Sequence, residues 1–168
     1  MLTRPKSVFS EIGTRAIENG LADPTISAFY EAIMSAPAGK TQEALKEFLP
    51  QLSLCSDKVS PLVPPPIFYV GRDSGQRHLF GDDWASPETS TTPLRTPDPD
   101  LERISAEAYM RALNDEPYYG YARTVVQAGS QSYEVAFERL IVTLRPSPVA
   151  DYRICAYLGI IQDLQKTT

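Results

Sequence analysis

The clearest pattern along the chain is the alternation of apolar and polar residues in its last third. Three runs, at residues 118–128, 133–144 and 152–164, are rich in aromatic and β-branched side chains and are separated by turn sequences. A period of two residues is typical of β-strands, and short turns between strands favour antiparallel neighbours. The sequence therefore predicts three neighbouring antiparallel strands at the carboxyl end.

Helical spacing of apolar residues dominates the first third instead. It predicts one helix over residues 7–19 and a second over residues 24–36, which begins after the N-cap residue Asp23. A third helix is predicted over residues 41–52, with Pro50 bending or ending it. The amino-terminal part of the chain is thus predicted to be helical.

The middle of the chain combines short strand signals with one strong helix. Residues 67–70 and 77–80 lie on either side of a Gly-rich turn, so the sequence predicts a hairpin of two short strands. Residues 87–99 are rich in serine, threonine and proline, which is typical of an irregular surface loop. The apolar positions of residues 101–113 then recur at helical spacing after a capping Asp98.

Together these elements predict an α+β fold rather than an α/β fold, because strands and helices occur in separate runs. The expected architecture is a five-stranded antiparallel sheet with flanking helices and an N-terminal helical extension. In these terms residues 1–40 form the extension and residues 41–168 form one domain. A single domain of this size is common.

Charge and composition argue against several classes of protein. The 168 residues include 21 acidic and 16 basic ones, a net charge of −5 without a cluster of cations, which argues against nucleic-acid binding. No segment approaches the ~20 apolar residues of a membrane span, and the first residues lack the apolar core of a secretory signal. We therefore expect a cytoplasmic protein without membrane contact, in which Cys55 and Cys155 are reduced core thiols.

Short phrases within this order resemble a known fold family. Residues 79–84 read Leu-Phe-Gly-Asp-Asp-Trp and resemble the segment that closes the second strand in a PAS-like family of alphaproteobacterial proteins. Residues 118–126 and 137–146 are similar to that family's third and fourth strands, although Thr143 stands where proline is usual. The resemblance covers about residues 45–164 and includes the order β-β-α-β-β-β.

Resemblance to PAS domains implies a sheet that cups a small cavity against helices. In PAS strand order, the central strand is expected to be residues 152–164 or residues 67–70. The resemblance also implies signalling through helices at the domain edge, often in a dimer. The family houses haem, flavins, small acids or no ligand at all. We accordingly expect a non-enzymatic sensory or regulatory module that binds a small molecule.

The residues do not favour a haem, flavin or metal site. His78 is the only histidine and falls on a predicted strand, whereas haem-binding PAS domains usually supply the axial histidine from the helical segment. The Asn-Cys-Arg-Phe-Leu-like phrase of photoactive flavin domains is absent from the sequence. One histidine and two distant cysteines are too few for a stable transition-metal site, which needs three or four ligands. We expect no cofactor and no metal.

The predicted ligand site lies between the sheet and the helix over residues 101–113. Trp84 and Tyr109 are the large side chains on the helical side of this site. On the first of the three C-terminal strands, Tyr121 and Arg123 share one face, which suits a polar and aromatic pocket wall. The alternative is a solvent face with aromatic cross-strand pairs.

Arg139 on the following strand is the other candidate anchor, because a guanidinium can hold a carboxylate through two hydrogen bonds. The alternative for Arg139 is a surface ion pair with Glu134 or Glu138 of a neighbouring strand. If Arg123 or Arg139 faces the cavity, the ligand should be an anion, since an isolated buried charge is very costly.

Two other functions are open at this point. One is a small cone-shaped α+β enzyme like the relatives of nuclear transport factor, which need an acid or a His–Asp pair inside the cone. The other is a protein-interaction domain without a ligand. The narrow apolar stripe of the helix over residues 7–19 further predicts a homodimer that uses this helix, and the alternative is that this helix packs on the chain's own sheet.

Overall fold

A six-stranded antiparallel sheet forms the centre of the computed structural model, which describes residues 7–37, 39–85, 94–114 and 116–167. The strands are β1 (Val8–Glu11), β2 (Ser53–Ser56), β3 (Ile67–Val70), β4 (Tyr118–Ala128), β5 (Gln131–Leu144) and β6 (Ile154–Lys166). They lie in the order β1-β4-β5-β6-β2-β3, and every neighbouring pair is antiparallel.

Helices cover both faces of this sheet. They are α1 (Arg15–Glu18), α2 (Pro24–Ser35), α3 (Thr41–Phe48), α4 (Gly75–Phe80), α5 (Asp82–Ala85) and α6 (Pro99–Asn114), with a 3-10 turn (Leu49–Gln51) after α3. Helices α2 and α3 pack on one side, which we call the α2 face, and α4, α5 and α6 pack on the other, the α6 face. The predicted α+β fold with an antiparallel sheet is confirmed, with six strands instead of the expected five.

The three C-terminal strands lie where the sequence predicted them. β4 has the predicted bounds, and the ends of β5 and β6 differ from the predictions by no more than two residues. Gly129 turns the chain between β4 and β5 with a φ of 65°, a left-handed conformation that favours glycine. Long alternating runs joined by a clear turn signal leave little ambiguity in this part of the chain.

The predicted helix over residues 7–19 is wrong in its first half. Val8–Glu11 form β1, which pairs with β4 at the edge of the sheet, and only the short α1 is helical. Gly13 explains the interruption, because its φ of 95° cannot continue a helix. Phe9 packs on the α6 face instead of lying on a helical stripe. The separation of residues 1–40 as an extension stays a prediction.

The predicted hairpin in the middle of the chain is wrong in its second strand. Residues 77–80 belong to α4, because the Ser74 side chain accepts a hydrogen bond from the Arg77 amide at 3.1 Å and caps this helix. The partner of β3 is β2, which the sequence did not predict. The helix predicted over residues 41–52 is shorter, since α3 ends at Phe48 and β2 follows the 3-10 turn.

Asp98 positions α6, as the capping prediction required. Its buried carboxylate accepts hydrogen bonds from the amides of Asp100 and Leu101, both at 3.0 Å, at the start of the helix. Its other oxygen accepts the Gln127 amide of β4 at 2.8 Å. One side chain thus caps α6 and attaches it to the sheet. Residues 87–93 of the predicted loop lie outside the described residues.

Apolar burial holds the helices of the α2 face. Ile26 and Phe29 of α2 are fully buried, and Leu45 of α3 packs in the same cluster. Phe29 also packs against Phe48, with ring centroids 5.2 Å apart. The sheet contributes seven buried residues from β4, β5 and β6 to this cluster, namely Tyr119, Leu140, Val142, Leu144, Ile154, Ala156 and Leu158.

We expect Phe29→Ala to lower the free energy of unfolding by about 3–5 kcal/mol, since it removes a buried ring and leaves a cavity. Met34→Ala on the same helix is the matched control. Met34 is 56% exposed, so its truncation should change stability by no more than about 0.5 kcal/mol. Urea unfolding followed by circular dichroism measures both values. Equal losses in the two variants would contradict the packing of α2 on the sheet.

Candidate functional site

Arg139 is the residue around which the α6 face is built. It lies in β5, and only 2% of its surface is exposed. Its neighbours across the sheet are glycines on both sides, Gly120 of β4 and Gly159 of β6. Glycine inside a strand often marks a place where another group approaches closely.

Two tyrosines occupy the space that these glycines leave. A Cβ atom at Gly120 would lie 2.7 Å from the Tyr118 hydroxyl, and one at Gly159 would lie 2.8 Å from the Tyr157 ring. Each tyrosine stands two residues before its glycine, so both share one face and the ring folds back over the glycine. The guanidinium of Arg139 is 5.4 Å from the Tyr118 ring centre, and its charge is near enough to Tyr157 to oppose the rise in pKa that burial causes in that residue.

The surroundings of the Arg139 charge are neutral. Its Nη1 donates to Ser105 Oγ of α6 at 3.0 Å, and the ring centres of Phe9 and Phe137 are 5.7 and 5.9 Å away. Among the residues that the structure describes, no carboxylate lies within 4.0 Å of this guanidinium. Because a buried charge without an opposite charge is costly, the site favours a negatively charged group.

A cavity of about 40 Å³ lies next to Ser105, the hydrogen-bond partner of Arg139, although Arg139 itself does not line it. Ser105 and Tyr157 belong to its wall. The wall also carries the ion pair of Arg95 and Glu102, at 3.9 Å. It is otherwise mostly apolar and includes Leu79, Phe80, Leu101, Val135, Phe137 and Ile161. A water molecule needs a cavity volume of about 10–15 Å³, so this cavity has room for about three waters or one small organic acid.

Two hydroxyl groups connect Arg139 with this cavity. Ser105 accepts a hydrogen bond from Arg139 and so keeps its own O–H proton to donate elsewhere, and the hydroxyl of Tyr157 in the same wall is a second donor. Burial raises the pKa of Tyr157, and the charge of Arg139 opposes that rise. The two hydroxyls can therefore donate to an anion in the cavity while Arg139 behind them balances its charge.

Tyr109, which also lines the cavity, lies against a pair of buried thiols. Its hydroxyl is 3.4 Å from Cys55 Sγ, and Cys55 lies directly opposite Cys155 in the register of β2 and β6. Burial raises the pKa of each thiol to about 12, and burial also raises the pKa of Tyr109. Both thiols are free and fully buried, so they are neutral groups at physiological pH.

On the α2 face, the residue next to Arg139 is a buried carboxylate. Glu138 accepts hydrogen bonds from the Tyr119 hydroxyl, from the Gln162 amide and from the backbone N–H of Asp23, the last at 3.1 Å. Asp23 is the N-cap of α2, so Glu138 attaches this helix to the sheet. Burial, followed by the hydrogen bond to Glu138, raises the pKa of Tyr119.

Three of the five predicted site residues lie on the α6 face, namely Trp84, Tyr109 and Arg139. Tyr109 lines the cavity directly, and Arg139 stands behind the two hydroxyls of its wall. Trp84 donates its indole N–H to the Arg95 carbonyl at 2.8 Å, and its ring centre is 5.1 Å from that of Phe80. Because Phe80 lines the cavity, Trp84 supports the wall from outside.

Tyr121 and Arg123 lie on the opposite face, so the register separates them from Arg139. Arg123 is partly exposed and pairs with Glu134 at 3.0 Å and with Asp163 at 3.9 Å. The surface ion pair that the sequence offered as the alternative for Arg139 is therefore wrong for that residue and belongs to Arg123. Arg139 itself is buried because β4 and β6 enclose it.

Sequence reasoning missed Ser105, Tyr157 and the two glycines. The signal that was present is glycine at positions 120 and 159 inside predicted strands, each two residues after a tyrosine. Ser105 carried no signal, because only the packing of α6 on the sheet places it against Arg139.

Within residues 7–37, 39–85, 94–114 and 116–167, no group of three or more His, Cys, Asp or Glu side chains is placed to hold a metal ion. His78 is exposed on α4 instead of lying on the predicted strand. No helix in the described part of the chain has the length and apolar character needed to cross a membrane.

Comparisons with protein-family models, with curated proteins and with solved structures found no match to this chain. Function must therefore be inferred from the site itself, since a fold alone does not determine it.

We expect Cys55 and Cys155 to be unreactive in the folded protein at pH 8. With a pKa of about 12, about one thiol in 10,000 is a thiolate at that pH, and both sulfurs are buried. A chromogenic aromatic disulfide should give no absorbance change until denaturant is added, after which both thiols react. Fast reaction of either thiol without denaturant would contradict their burial.

Proposed function

We propose that this protein is a PAS-like sensory or regulatory module that binds a small anion and is not an enzyme. From β2 onward the elements follow the order β-β-α-β-β-β, but the first two strands are β2 and β3 instead of residues 67–70 and 77–80, and residues 79–84, which carried part of the resemblance, lie in α4 and α5 and the residue between them. The resemblance gives two strands as candidates for the centre of the sheet. One of them, β6, lies inside the sheet between β5 and β2. The small cavity between this sheet and helices α4 and α6 further supports the proposal.

The observation that carries the proposal is Arg139, a buried cation without a carboxylate beside it in the described residues. An anion in the adjoining cavity balances this charge through the hydroxyls of Ser105 and Tyr157. A carboxylate is the simplest such group, because its two oxygens can accept one hydrogen bond from each hydroxyl. The cavity of about 40 Å³ limits the ligand to a few heavy atoms.

The route of the signal follows from the position of Glu138 beside Arg139. Consecutive residues of a strand face opposite sides of the sheet, so β5 carries the cation towards the cavity and the carboxylate towards α2. In this proposal β5 has two positions, and an anion binds more tightly to one of them. Binding therefore moves Glu138, which accepts a hydrogen bond from the N-cap residue of α2. The ligand thereby shifts the population between two packings of α2 and α3 on the sheet.

The two rival functions have less support from the site. A cone-shaped enzyme needs an acid that is free to take a proton from a substrate. Both oxygens of the buried Glu138 already accept hydrogen bonds, and Glu102, the carboxylate on the cavity wall, lies 3.9 Å from the Arg95 guanidinium. An interaction domain without a ligand does not need a buried cation beside a cavity. The ligand-binding module therefore accounts for more of the structure.

We expect Arg139→Met to abolish acetate binding and Arg123→Met to leave it unchanged. Methionine keeps the bulk of the apolar stem, and since no carboxylate of the described residues pairs with Arg139, the substitution leaves no buried ion unpaired. Arg123 is the matched control, because it lies on the other face and pairs at the surface. Isothermal titration calorimetry measures the affinity, with acetamide as a neutral ligand of the same size.

Circular dichroism establishes that both variants are folded. Equal acetate affinity in the wild-type protein and in Arg139→Met would remove this arginine from the site. If the wild-type protein binds acetate and propionate no better than acetamide, the proposed ligand class is wrong.

We also propose a homodimer formed by the amino-terminal residues, through a strand rather than the predicted helix. β1 is an edge strand, and the nearby side chains of Val8 and Ile12 are 47% and 50% exposed. Light scattering should give twice the mass of one chain. Val8→Lys should give the mass of one chain, and Val149→Lys, at a loop position that is 92% exposed, should stay dimeric. A wild-type mass of one chain at all concentrations would contradict the dimer.

A further inference from the structure

A second concave surface lies on the α2 face, between α3, the first residues of β6 and the strands β2 and β3. It has a volume of about 720 Å³. We call it the basic groove, and its apolar part consists of Leu45, Leu49, Leu54, Phe68, Tyr152 and Ile154.

The apolar part of the basic groove is open to solvent at two aromatic rings. Phe68 is 59% exposed and Tyr152 is 54% exposed. Leu54 and Ile154 form a buried floor between them and belong to the core cluster of the α2 face. Apolar surface that is concentrated in a concave region is typical of a binding site, whereas exposed apolar residues that are scattered singly are normal.

The rim of the basic groove carries cations, although the whole chain has a net charge of −5. Lys46, Lys58 and Arg153 line it together with a single carboxylate, Asp57. The Arg153 guanidinium donates to the Leu113 carbonyl at 2.9 Å, so its position is fixed. Among the described residues, neither lysine has a carboxylate within 4.0 Å of its ammonium group.

We propose that the basic groove binds an amphipathic organic anion, with an aliphatic or aromatic body on the apolar floor and an acidic head group at Lys46 and Lys58. Its volume of about 720 Å³ lies within the range of about 300–1,000 Å³ that is usual for small-molecule sites. The charge excess is complementary to an anion. A protein partner fits less well, since a stable protein interface uses about 20–30 residues on each side.

The basic groove is separate from the cavity beside Arg139. Its floor residues Leu54 and Ile154 belong to the cluster of the α2 face, whereas Cys55 and Cys155, the next residues along these strands, belong to that of the α6 face. The sheet lies between the two sites. This inference and the proposed function can therefore fail independently of each other.

Decanoate is the probe, and decyltrimethylammonium, which has the same chain and a cationic head group, is the matched control. Unspecific binding to an acidic protein favours the cation, so a preference for decanoate is diagnostic of the basic groove. Isothermal titration calorimetry below the micelle-forming concentrations should show saturable binding of decanoate. We expect its affinity to exceed that of the cation by about tenfold.

Substitutions locate the binding. Lys46→Gln combined with Lys58→Gln should weaken decanoate binding by about tenfold, because each exposed charge pair contributes about threefold. Lys166→Gln, at the far end of β6, should leave the affinity unchanged. Phe68→Ser should weaken binding without unfolding the protein, because this ring is mostly exposed.

Several outcomes would overturn the proposal. These are equal or tighter binding of decyltrimethylammonium, an unchanged decanoate affinity in the double glutamine variant, or an equal loss in Lys166→Gln. Failure of decanoate to bind, together with binding of a synthetic helical peptide of glutamate and leucine, would also overturn it and assign the basic groove to a protein partner.

Discussion

A single buried cation constrains the whole α6 side of this protein. Arg139 lies between two glycines, Gly120 and Gly159, and the rings of Tyr118 and Tyr157 fold back over these glycines beside it. Helix α6 presents a small hydroxyl, Ser105, at its approach to the guanidinium. Helix α4 begins with glycine for a related reason, since a Cβ atom at Gly75 would lie 2.7 Å from the Gly159 carbonyl oxygen. The close packing of both helices therefore depends on what surrounds this one residue.

The carboxylate one position earlier is accommodated in a different way. Glu138 has three hydrogen-bond donors and lies at the start of a helix, where negative charge is favourable. Arg139 has the Ser105 hydroxyl and aromatic rings, which are weaker partners for a charge than a carboxylate. The carboxylate thus has more and stronger partners within the described residues than the cation has.

Elements with complete local signals were predictable from the sequence, and short elements were not. β4 alternates over its whole length, and α2 and α6 combine periodic apolar residues with an aspartate cap. β1 and β2 have four residues each, too few to show a period, and their extended conformation comes from pairing with distant strands. Residues 77–80 show the same ambiguity, because a short apolar run fits a helix or a strand equally well.

The site was predictable only in part, because its geometry depends on register. Arg139 and Tyr109 carried the chemistry that identified them. The sequence of one strand does not determine which face of the sheet its side chains are on, because a register shift of one residue exchanges the two faces. For this reason Tyr121 and Arg123 were grouped with Arg139 although the sheet separates them. Ser105 became visible only when the packing of α6 was known.

The tyrosines that fold back over their glycines have a consequence for the sequences of related proteins. Tyr118 precedes Gly120 and Tyr157 precedes Gly159 at the same spacing of two residues. Within each pair, a larger residue at the glycine would strike the ring, and loss of the ring would leave the glycine beside unfilled space. Selection therefore acts on each pair as a unit. A distant relative that keeps this site should carry a Tyr-x-Gly tripeptide on each side of one arginine, even where the rest of its sequence has diverged.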